Sequence, residues 1–511
     1  HDIVELEITP DRGDCLSMLG VAREVACAFG KPLRNTARRP RESGGSIDEH
    51  ISVSIADPQR CPRYMGRLIR NVTPAESPAW LKDRLRLAGL RPINNIVDIT
   101  NYILLHFGQP MHAFDYDRIG DRRIEVKRAE TGQTFTTLDG VERRLRDSDL
   151  LICDGNGPVA LAGVMGGAGS EISPATTNVF LECAFFDPVG IRRTSKRLGL
   201  STESSYRFER GVDPAAGLED ALDTAAEMIR ELGGGEVVGG VVDEYPHPLK
   251  PKSITIRPAR NARVLGVDIP PEKIVSYLEG LGMSCTERSE DTLGFAVPLF
   301  RHDLAAEVDL IEEVGRLYGY DNIPAQPYGR VALMNTPGAR EAKADRLRRS
   351  PAYFGLNEIV TNSMTSETCR ALLTPDIAPV RLRNPLSPEM AQMRTTLVGG
   401  HLQILAYNLN RRNLDNRFFE LGKVFEHTGN DTELPRERTV LGISINGDYI
   451  PASWNTAATP ASFYVLRGVV DALAAHSGIG AVTYEADPEG FAYLEGEKAA
   501  IRGPAGVRGA L

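Results

Sequence analysis

Two stretches of the sequence decide its fold: NYILLHFGQPMHAF, which covers Asn101–Phe114, and RHDLAAEVDLIEEVGRLYGY, which covers Arg301–Tyr320. The first contains a histidine, His112, two residues after a proline that restricts the local backbone. The second has apolar residues at helical spacing, which predicts a helix over residues 304–318. One stretch therefore offers a titratable group in a constrained segment, and the other offers a helix that carries several carboxylates.

The composition is that of a globular chain of several domains. The sequence has 511 residues, of which 42% are hydrophobic and 25% charged, and no apolar run approaches the ~20 residues needed to cross a bilayer. Because no charged-then-apolar leader is seen, we expect a cytoplasmic protein without membrane contact. Because the first residue is not methionine, we also expect a fragment or a processed form. The seven cysteines include no CxxC pair, which argues against a zinc ribbon.

The charge of the chain limits its partners. A net charge of −9 argues against a general coat for nucleic acid, because phosphate binding needs clustered positive charge. Local basic stretches are still candidates for RNA contacts, with a solvated face or a linker as the alternative for each. These stretches are Arg34–Arg41, Arg346–Arg349 and Arg411–Arg417.

Hydrophobic patterning divides the chain into four regions without an internal repeat of fixed period. The second region has short strand-like runs interrupted by helices, which is an α+β pattern rather than a regular βαβ alternation. The proline-rich segment YPHPLKPKS marks a boundary after it. The predicted domains are residues 1–40, 50–248, 252–325 and 330–511.

The first and last regions give the clearest local predictions. We expect a strand over residues 3–8 and a helix over residues 16–29, followed by a polar linker. In the last region we expect a helix over residues 340–354 and strands over residues 416–425 and 439–446. These elements mix helices and strands at both ends of the chain.

The predicted helix in the second stretch carries a row of carboxylates. Asp309, Glu312 and Glu313 are spaced at i, i+3 and i+4, so they share one face, and Asp303 lies just before the helix. Like charges at this spacing repel, and Mg²⁺, which prefers carboxylate oxygens, would remove the repulsion. The alternative is an ordinary acidic solvent face with Arg316 as a local partner.

A second group of polar residues is dispersed over the second region. Glu182 interrupts the apolar run VFLECAFF, so its carboxylate must be paired or face a cavity. His112 is either a structural histidine or a catalytic one. The segment GVMGG lacks the features of a P-loop, and it indicates a turn or a close backbone approach. The candidate pocket residues are Thr100, Asn101, Pro110, His112, Gly166, Gly167, Glu182, Thr202 and Ser204.

Several long motifs together resemble the beta-subunit family of bacterial phenylalanyl-tRNA synthetases. They occur in the order that is typical of the family: ITPDRGDCLSMLGVAREVA, RCPRYMGRLI to RFERGVDP, Asn261–Pro324, NPLSPEMAQMRTTLVGGHL and RFFELGKVF. The resemblance implies an α+β, multidomain fold. Its expected parts are the end of a B1-like domain, a B3/B4 editing-type domain, a small B5 domain with helices, and an incomplete class II catalytic-like B6/B7 domain with an antiparallel sheet and helices. The class II motif 2 strand is degraded and motif 3 is not recognisable, so the last domain is expected to lack catalysis.

The resemblance also implies a function and partners. The family's beta subunit pairs with an alpha subunit in an (αβ)₂ heterotetramer that attaches phenylalanine to tRNA(Phe) with ATP, and the chain resembles its middle, without either terminal module. The family's editing site hydrolyses tyrosyl-tRNA(Phe). The resemblance implies catalytic roles for His112, Glu182, Thr100 and Asn101, with pocket positions at Pro110, Gly166, Thr202 and Ser204. The resemblance also implies Mg²⁺ ligands at Asp303, Asp309, Glu312 and Glu313, in a site shared with the alpha subunit.

Two other functions fit the sequence less well. The first is a scaffold that holds alpha and tRNA but does not edit, and the intact set from Thr100 to Ser204 argues against it. The second is a free-standing hydrolase of mischarged tRNA, which would not need the B5-like and catalytic-like regions. Within the editing reaction, we expect Glu182 to accept the hydrogen bond of the tyrosine phenol. We expect His112 to position groups rather than to act as the sole general base.

Overall fold

The computed structural model describes residues 3–34, 36–169, 171–325, 328–329, 338–486, 498–504 and 508–510. The chain divides into two compact units, His1–Tyr328 and Gly329–Leu511, and each is described by itself. Among the described residues, no helix is long and apolar enough to cross a membrane.

The first unit contains both helices and strands. Its helices are α1 (Met18–Ala28), α2 (Ala79–Leu87), α3 (Asn95–Phe107), α4 (Pro188–Leu198), α5 (Glu203–Phe208), α6 (Ala216–Gly233), α7 (Pro258–Leu265), α8 (Pro271–Gly280) and α9 (Glu307–Tyr318). Its strands are β1 (Glu42–Ser43), β2 (Ser52–Ile55), β3 (Arg63–Arg70), β4 (Met111–Asp115), β5 (Arg123–Arg128), β6 (Thr134–Thr136), β7 (Glu142–Arg144), β8 (Leu150–Cys153), β9 (Pro158–Leu161), β10 (Met165–Gly166), β11 (Val179–Phe185), β12 (Glu236–Val238), β13 (Val242–Glu244), β14 (Lys252–Ile256), β15 (Ser284–Arg288) and β16 (Leu293–Val297).

A central sheet with the order β1-β12-β3-β11-β4 forms the core of the first unit. Strand β11 is buried along its whole length, because its sequence VFLECAF is apolar except at Glu182. Antiparallel pairing with β4 sets Glu182 directly opposite His112, so both side chains leave the same face of the sheet. Helices α3 and α6 pack against each other, and α6 also packs against β3 and β11.

A second sheet with the order β10-β9-β8-β5-β2 shares a hydrophobic core with the first. Most of the side chains on its inner strands, such as Leu151, Ile152 and Leu161, are buried. The strand β10 is only two residues long and ends at Gly166, from which the chain continues in a bridge between Gly167 and Thr137. This second sheet thus brings a glycine-rich strand end beside the core.

A smaller group of elements follows in the same unit. The sheet β14-β16-β15 and the helices α7–α9 share a separate hydrophobic cluster, centred on residues such as Phe295, Ile311 and Val314. Helix α9 begins at Glu307, three residues later than the predicted start, because Asp309 accepts hydrogen bonds from the backbone N–H groups of Ala305 and Ala306.

The second unit is built on a long antiparallel hairpin. Its helices are α10 (Ala339–Arg349), α11 (Glu367–Leu373), α12 (Val398–Leu409) and α13 (Phe463–His476). Its strands are β17 (Asn357–Glu358), β18 (Met364–Thr365), β19 (Gln392–Met393), β20 (Asn416–Glu426), β21 (Arg436–Asn446), β22 (Asp448–Ile450), β23 (Thr459–Pro460), β24 (Thr483–Ala486), β25 (Ala499–Arg502) and β26 (Arg508–Ala510). Strands β20 and β21 pair over eleven residues, and β17 adds in parallel.

The predicted α+β, multidomain fold class is confirmed, while two local predictions are wrong. Residues 3–8 form no strand, because no described strand lies beside them to complete a ladder. The predicted helix over residues 340–354 ends at Arg349 and continues as a 3-10 turn over Ser350–Phe354, since Pro351 cannot donate a helical hydrogen bond. The four predicted domain boundaries stay predictions.

Candidate functional site

A small cavity of about 60 Å³ lies against the central sheet of the first unit. Five of the residues predicted to form a pocket line it: Pro110, His112, Gly166, Glu182 and Ser204. The other lining residues are mostly apolar and were not among the predicted pocket residues: Met111, Ile152, Ala160, Leu161, Gly163, Val164, Met165 and Phe208. In the sequence these are ordinary apolar residues, and their pattern does not distinguish a cavity wall from an ordinary core.

Glu182 is the buried acid of this cavity. Only 6% of the residue is exposed, and its Oε2 atom has no hydrogen-bond partner among the described residues. Burial raises the pKa of Glu182 to about 8, because the charged form loses its hydration and no cation lies beside it. At neutral pH the group is therefore a neutral carboxylic acid, which can both donate and accept a hydrogen bond.

His112 lies opposite Glu182 on the neighbouring strand. Its Nε2 atom is buried without a partner among the described residues, and its ring packs edge-on to Phe114 with 4.4 Å between the ring centroids. Burial lowers the pKa of His112 to about 4, so the imidazole is neutral at physiological pH. A base of this strength is far from the pKa that favours proton abstraction at neutral pH.

Gly166 lets the second sheet approach the imidazole. A Cβ atom at this position would lie 2.7 Å from Cε1 of His112 and 3.0 Å from a methyl carbon of Leu138. Both distances are shorter than ordinary van der Waals contact, so any side chain would displace the ring. The glycine is therefore required here for close approach rather than for an unusual backbone angle.

Four of the predicted catalytic or pocket residues do not line the cavity, and one of them, Gly167, forms a bridge with Thr137. The hydroxyl of Thr100 donates to the carbonyl of Val97 within α3, and neither Thr100 nor Asn101 lines the cavity. Thr202 caps α5 and donates to the carbonyl of Val164, 2.8 Å away. Since Val164 is itself a lining residue, Thr202 fixes the cavity wall.

Two carboxylates at the acidic helix, Asp303 and Glu313, have arginine partners, whereas Glu312 is exposed. Arg301, only 2% exposed, donates to both carboxylate oxygens of Asp303, at 2.9 and 2.7 Å, and also contacts Glu313. Arg316 also contacts Glu313, at 2.5 Å. Burial alone would raise the pKa of Glu313, yet hydrogen bonds from Arg316 and Arg301 bring it below its ordinary value. Arg316 also reaches Glu24 of α1 at 2.6 Å, so the cluster links α9 to α1.

As they lie in this chain, the predicted magnesium ligands do not fit one metal ion. Two of the four, Asp303 and Glu313, are neutralised by arginines, and Asp309 caps the helix. Within the described part of the chain, these carboxylates do not come together as a group of potential ligand atoms. Their oxygens suit Mg²⁺ chemically, but an ion would have to displace a buried guanidinium.

A different group does have ligand atoms within 4.8 Å of one another: Asp14, Cys15 and Glu24. Arg12 already lies between them, donating to Asp14 at 2.9 Å and to Glu24 at 2.5 Å. Burial and the nearby Asp14 raise the pKa of the Cys15 thiol to about 12. The thiol is therefore protonated and the carboxylates are paired, which is the arrangement of a structural ion cluster.

Three family models match the chain and cover most of it. They are described as the B3/4 domain, over residues 60–234, the tRNA synthetase B5 domain, over residues 254–320, and the phenylalanyl tRNA synthetase beta chain CLM domain, over residues 323–509. The cavity lies within the first match and the acidic helix within the second. These three matches place the chain in the aminoacyl-tRNA synthetase class of proteins.

Curated relatives identify the family. The phenylalanine–tRNA ligase beta subunit of Geobacter sulfurreducens is 42% identical over 98% of the chain and 63% of the relative. The corresponding subunit of Salinibacter ruber is 44% identical over 92% of the chain and 58% of the relative. The chain belongs to the family of phenylalanine–tRNA ligase beta subunits, and it spans about three fifths of the length of these relatives.

Proposed function

We propose that the cavity hydrolyses tyrosyl-tRNA(Phe), so that the chain edits the product of a phenylalanine–tRNA ligase. The observation that supports this proposal is the pairing of Glu182 and His112, two buried polar groups aimed at one cavity without partners among the described residues. Buried polar groups are normally hydrogen-bonded, and an exception needs an explanation. A substrate that supplies the missing hydrogen bonds is the explanation we favour.

The neutral acid of Glu182 suits the phenol of tyrosine. A phenol donates one hydrogen bond and accepts another, and a protonated carboxyl group can complement both. Phenylalanine would leave the acid without a partner, so the site disfavours the correct amino acid. Selection for a hydroxyl by a buried polar group can reach about 10⁴-fold, whereas an apolar pocket rejects an added hydroxyl only about a hundredfold.

The cavity has to widen when substrate enters. A cavity of about 150 Å³ holds benzene, and the present one measures about 60 Å³. The side chains of Met111 and Met165 line it and can adopt other rotamers, because methionine is unbranched. His112 then orients the ester or a water molecule through Nε2, and its low basicity makes positioning its role. Thr100 and Asn101 remain proposed to orient the ester, although they lie outside the cavity wall.

The activity of the whole enzyme is part of the same proposal. Together with an alpha subunit, in an (αβ)₂ heterotetramer, the chain supports ATP-dependent attachment of phenylalanine to tRNA(Phe). In the second unit, buried Glu420 is paired with Arg394 at 2.8 Å and with Thr361 at 2.6 Å, which fits a structural role without catalysis. Magnesium at Asp303, Asp309, Glu312 and Glu313 requires further ligands from the alpha subunit.

Hydrolysis of tyrosyl-tRNA(Phe) by the chain with its alpha partner tests this proposal. We expect the parent to clear the tyrosyl ester, Glu182→Ala to lose most of the activity, and Glu182→Gln to keep part of it because the amide still offers an acceptor. Glu130→Gln, at an exposed position in the same unit, is the matched control and should hydrolyse normally. If the parent leaves the ester intact while phenylalanine charging is normal, the scaffold function replaces editing.

A further inference from the structure

An aromatic platform lies on the surface formed by α2 and α3; it consists of Trp80, Arg84, Tyr102 and His106. The rings of Trp80 and Tyr102 meet edge to face with 5.8 Å between their centroids. The rings of Tyr102 and His106 are stacked, 5.4 Å apart and 17° from parallel. Trp80 is 43% exposed, so this row of rings is open to solvent at one end.

Arg84 gives the platform a positive charge. Its guanidinium carbon lies 5.4 Å from the ring centroid of Trp80 and 5.8 Å from that of Tyr102, and it donates to the Tyr102 hydroxyl at 3.0 Å. Two other cations of α2 are each paired with a carboxylate, Lys82 with Glu76 and Arg86 with an aspartate. Arg84, in contrast, has no carboxylate partner within the described ranges, and its charge is available to an anion.

The helix that carries part of the platform leads into the strand of the candidate pocket. Tyr102 and His106 belong to α3, which packs against β4, the strand of His112. The chain passes from His106 to Pro110, a residue of the cavity wall, in four residues. The platform and the cavity are therefore joined by one short segment of the chain.

We propose that the aromatic platform binds an unpaired nucleotide near the 3′ end of the RNA, with the base stacked on Trp80 and the phosphate beside Arg84. The proposal rests on the proposed function, since it names the surface that holds the RNA strand of the same substrate. Exposed aromatic rings beside arginine are the usual means of binding single-stranded nucleic acid without sequence readout. The competing explanation is that Arg84 only packs α2 onto α3.

Tryptophan fluorescence tests the platform directly, because the sequence has only two tryptophans, Trp80 and Trp454. In the Trp454→Phe variant, Trp80 is the sole tryptophan reporter. The probe is an RNA hairpin that has an unpaired 3′ ACCA end and carries no amino acid. We expect stacking to quench its fluorescence saturably, and a blunt-ended hairpin to leave it unchanged. In the Trp80→Phe variant, Trp454, which is 96% exposed, should show no response.

Affinity measurements complete the test. Arg84→Gln should weaken binding of the overhang hairpin about tenfold, because it removes a charge-assisted hydrogen bond to the phosphate. Arg86→Gln, two residues along the same helix, is the matched control and should bind as the parent does. Since Arg84→Gln could alter folding, thermal unfolding of each variant must show a single transition at the parental Tm.

The outcomes separate this proposal from the editing proposal. Quenching of Trp80 together with a specific loss in Arg84→Gln supports the platform, whether or not the ester is hydrolysed. Hydrolysis of tyrosyl-tRNA(Phe) without quenching of Trp80, or an equal loss in Arg84→Gln and Arg86→Gln, overturns the platform and leaves editing intact. Quenching without hydrolysis overturns editing alone.

Discussion

The candidate pocket and the acidic helix of the first unit both bury carboxylates, but only the buried carboxylates of the acidic helix have cations beside them. In the pocket, Glu182 has no cation beside it, and burial raises its pKa to about 8. In the acidic helix, Glu313 lies between Arg301 and Arg316, and its pKa stays below the ordinary value. Burial by itself therefore does not tell us which carboxylate is functional.

The difference lies in what the fold supplies as a partner. A buried ion pair with good hydrogen bonds holds elements together, since removing either member leaves an uncompensated charge. A buried acid without a partner destabilises the fold when it is ionised, and it is retained where a ligand completes its hydrogen bonds. We infer that Glu182 is poised for a substrate, whereas Arg301 with Asp303 and Glu313 stabilises the structure.

The largest expected effect is on the pH dependence of stability in Glu182→Gln. The folded-state pKa of about 8 lies above the ordinary value of 4.5, so between these values the folded protein holds a proton that the unfolded chain has lost. The free energy of unfolding of the parent therefore falls as pH rises through this window, by about 1.4 kcal/mol per unit of pKa difference. Urea unfolding below pH 4.5 and above pH 8 measures this change in the parent. The change should be absent in the glutamine variant.

The contribution of His112 in the parent has the opposite pH dependence, so His112→Gln serves as the control for the sign. The folded-state pKa of about 4 lies below the ordinary 6.5, so the parent loses stability as pH falls through that window. The histidine contribution should be absent in this variant. Parallel pH profiles for the parent and both variants would contradict the burial of two unpartnered groups in the pocket.

The second prediction concerns the paired side of the comparison. Arg301→Met leaves Asp303 and Glu313 without their buried cation, and we expect the free energy of unfolding to fall by about 3–5 kcal/mol. Urea unfolding of the parent and the variant measures this change in free energy. Arg257→Met, which breaks the more exposed pair with Glu307 at the start of the same helix, is the control and should cost much less. An equal loss of unfolding free energy in the two variants would mean that the buried pair stabilises the fold no more than the exposed pair does.

The third prediction tests the approach of Gly166 to His112. In Gly166→Ala the new methyl group would lie 2.7 Å from the imidazole, so the ring must shift. We expect hydrolysis of tyrosyl-tRNA(Phe) to fall about a hundredfold, as for other displacements of about 1 Å in active sites. Gly169→Ala, where nothing lies within 4 Å of the added carbon, should retain activity. Normal hydrolysis in Gly166→Ala would remove His112 from the site.

The smallest expected effect is that of magnesium on the chain alone. Because arginines occupy two of the predicted ligands and Asp309 caps α9, we expect millimolar Mg²⁺ to leave the Tm unchanged. Binding to the folded state alone would raise the Tm, so differential scanning fluorimetry with and without EDTA is a direct measurement. A rise that is abolished in Glu312→Gln would show that the acidic helix holds the ion without a partner subunit.

Local patterns predicted much of the fold, because helices and strands follow the spacing of apolar residues. The apolar strand around Glu182 and the two long strands of the second unit appear as expected, and the helix of the second stretch appears three residues later than predicted. The prediction of a strand over residues 3–8 is wrong, because a strand forms only when another strand pairs with it. Periodicity cannot reveal whether that neighbour is present.

The candidate site was predictable to a smaller extent. The apolar context of Glu182 indicated a pairing partner or a cavity, and the resemblance to the family placed His112, Gly166 and Ser204 with it. The methionines of the cavity wall gave no sequence signal, since apolar residues in a strand look alike whether they line a cavity or fill a core. The resemblance also pointed to the carboxylates of α9 as ligands, and the arginines beside them came to light only in three dimensions.

By itself the sequence determined the family, the α+β fold class and which groups carry charge, because these depend on residue types and their local order. The tertiary structure alone decided which of the buried carboxylates have partners. The segment before α9 folds back against that helix, and this packing sets the guanidinium of Arg301 between Asp303 and Glu313. The cross-strand register, in turn, sets His112 opposite Glu182, although the two residues are far apart in the chain. Distance in space controls hydration and pairing, and sequence separation does not.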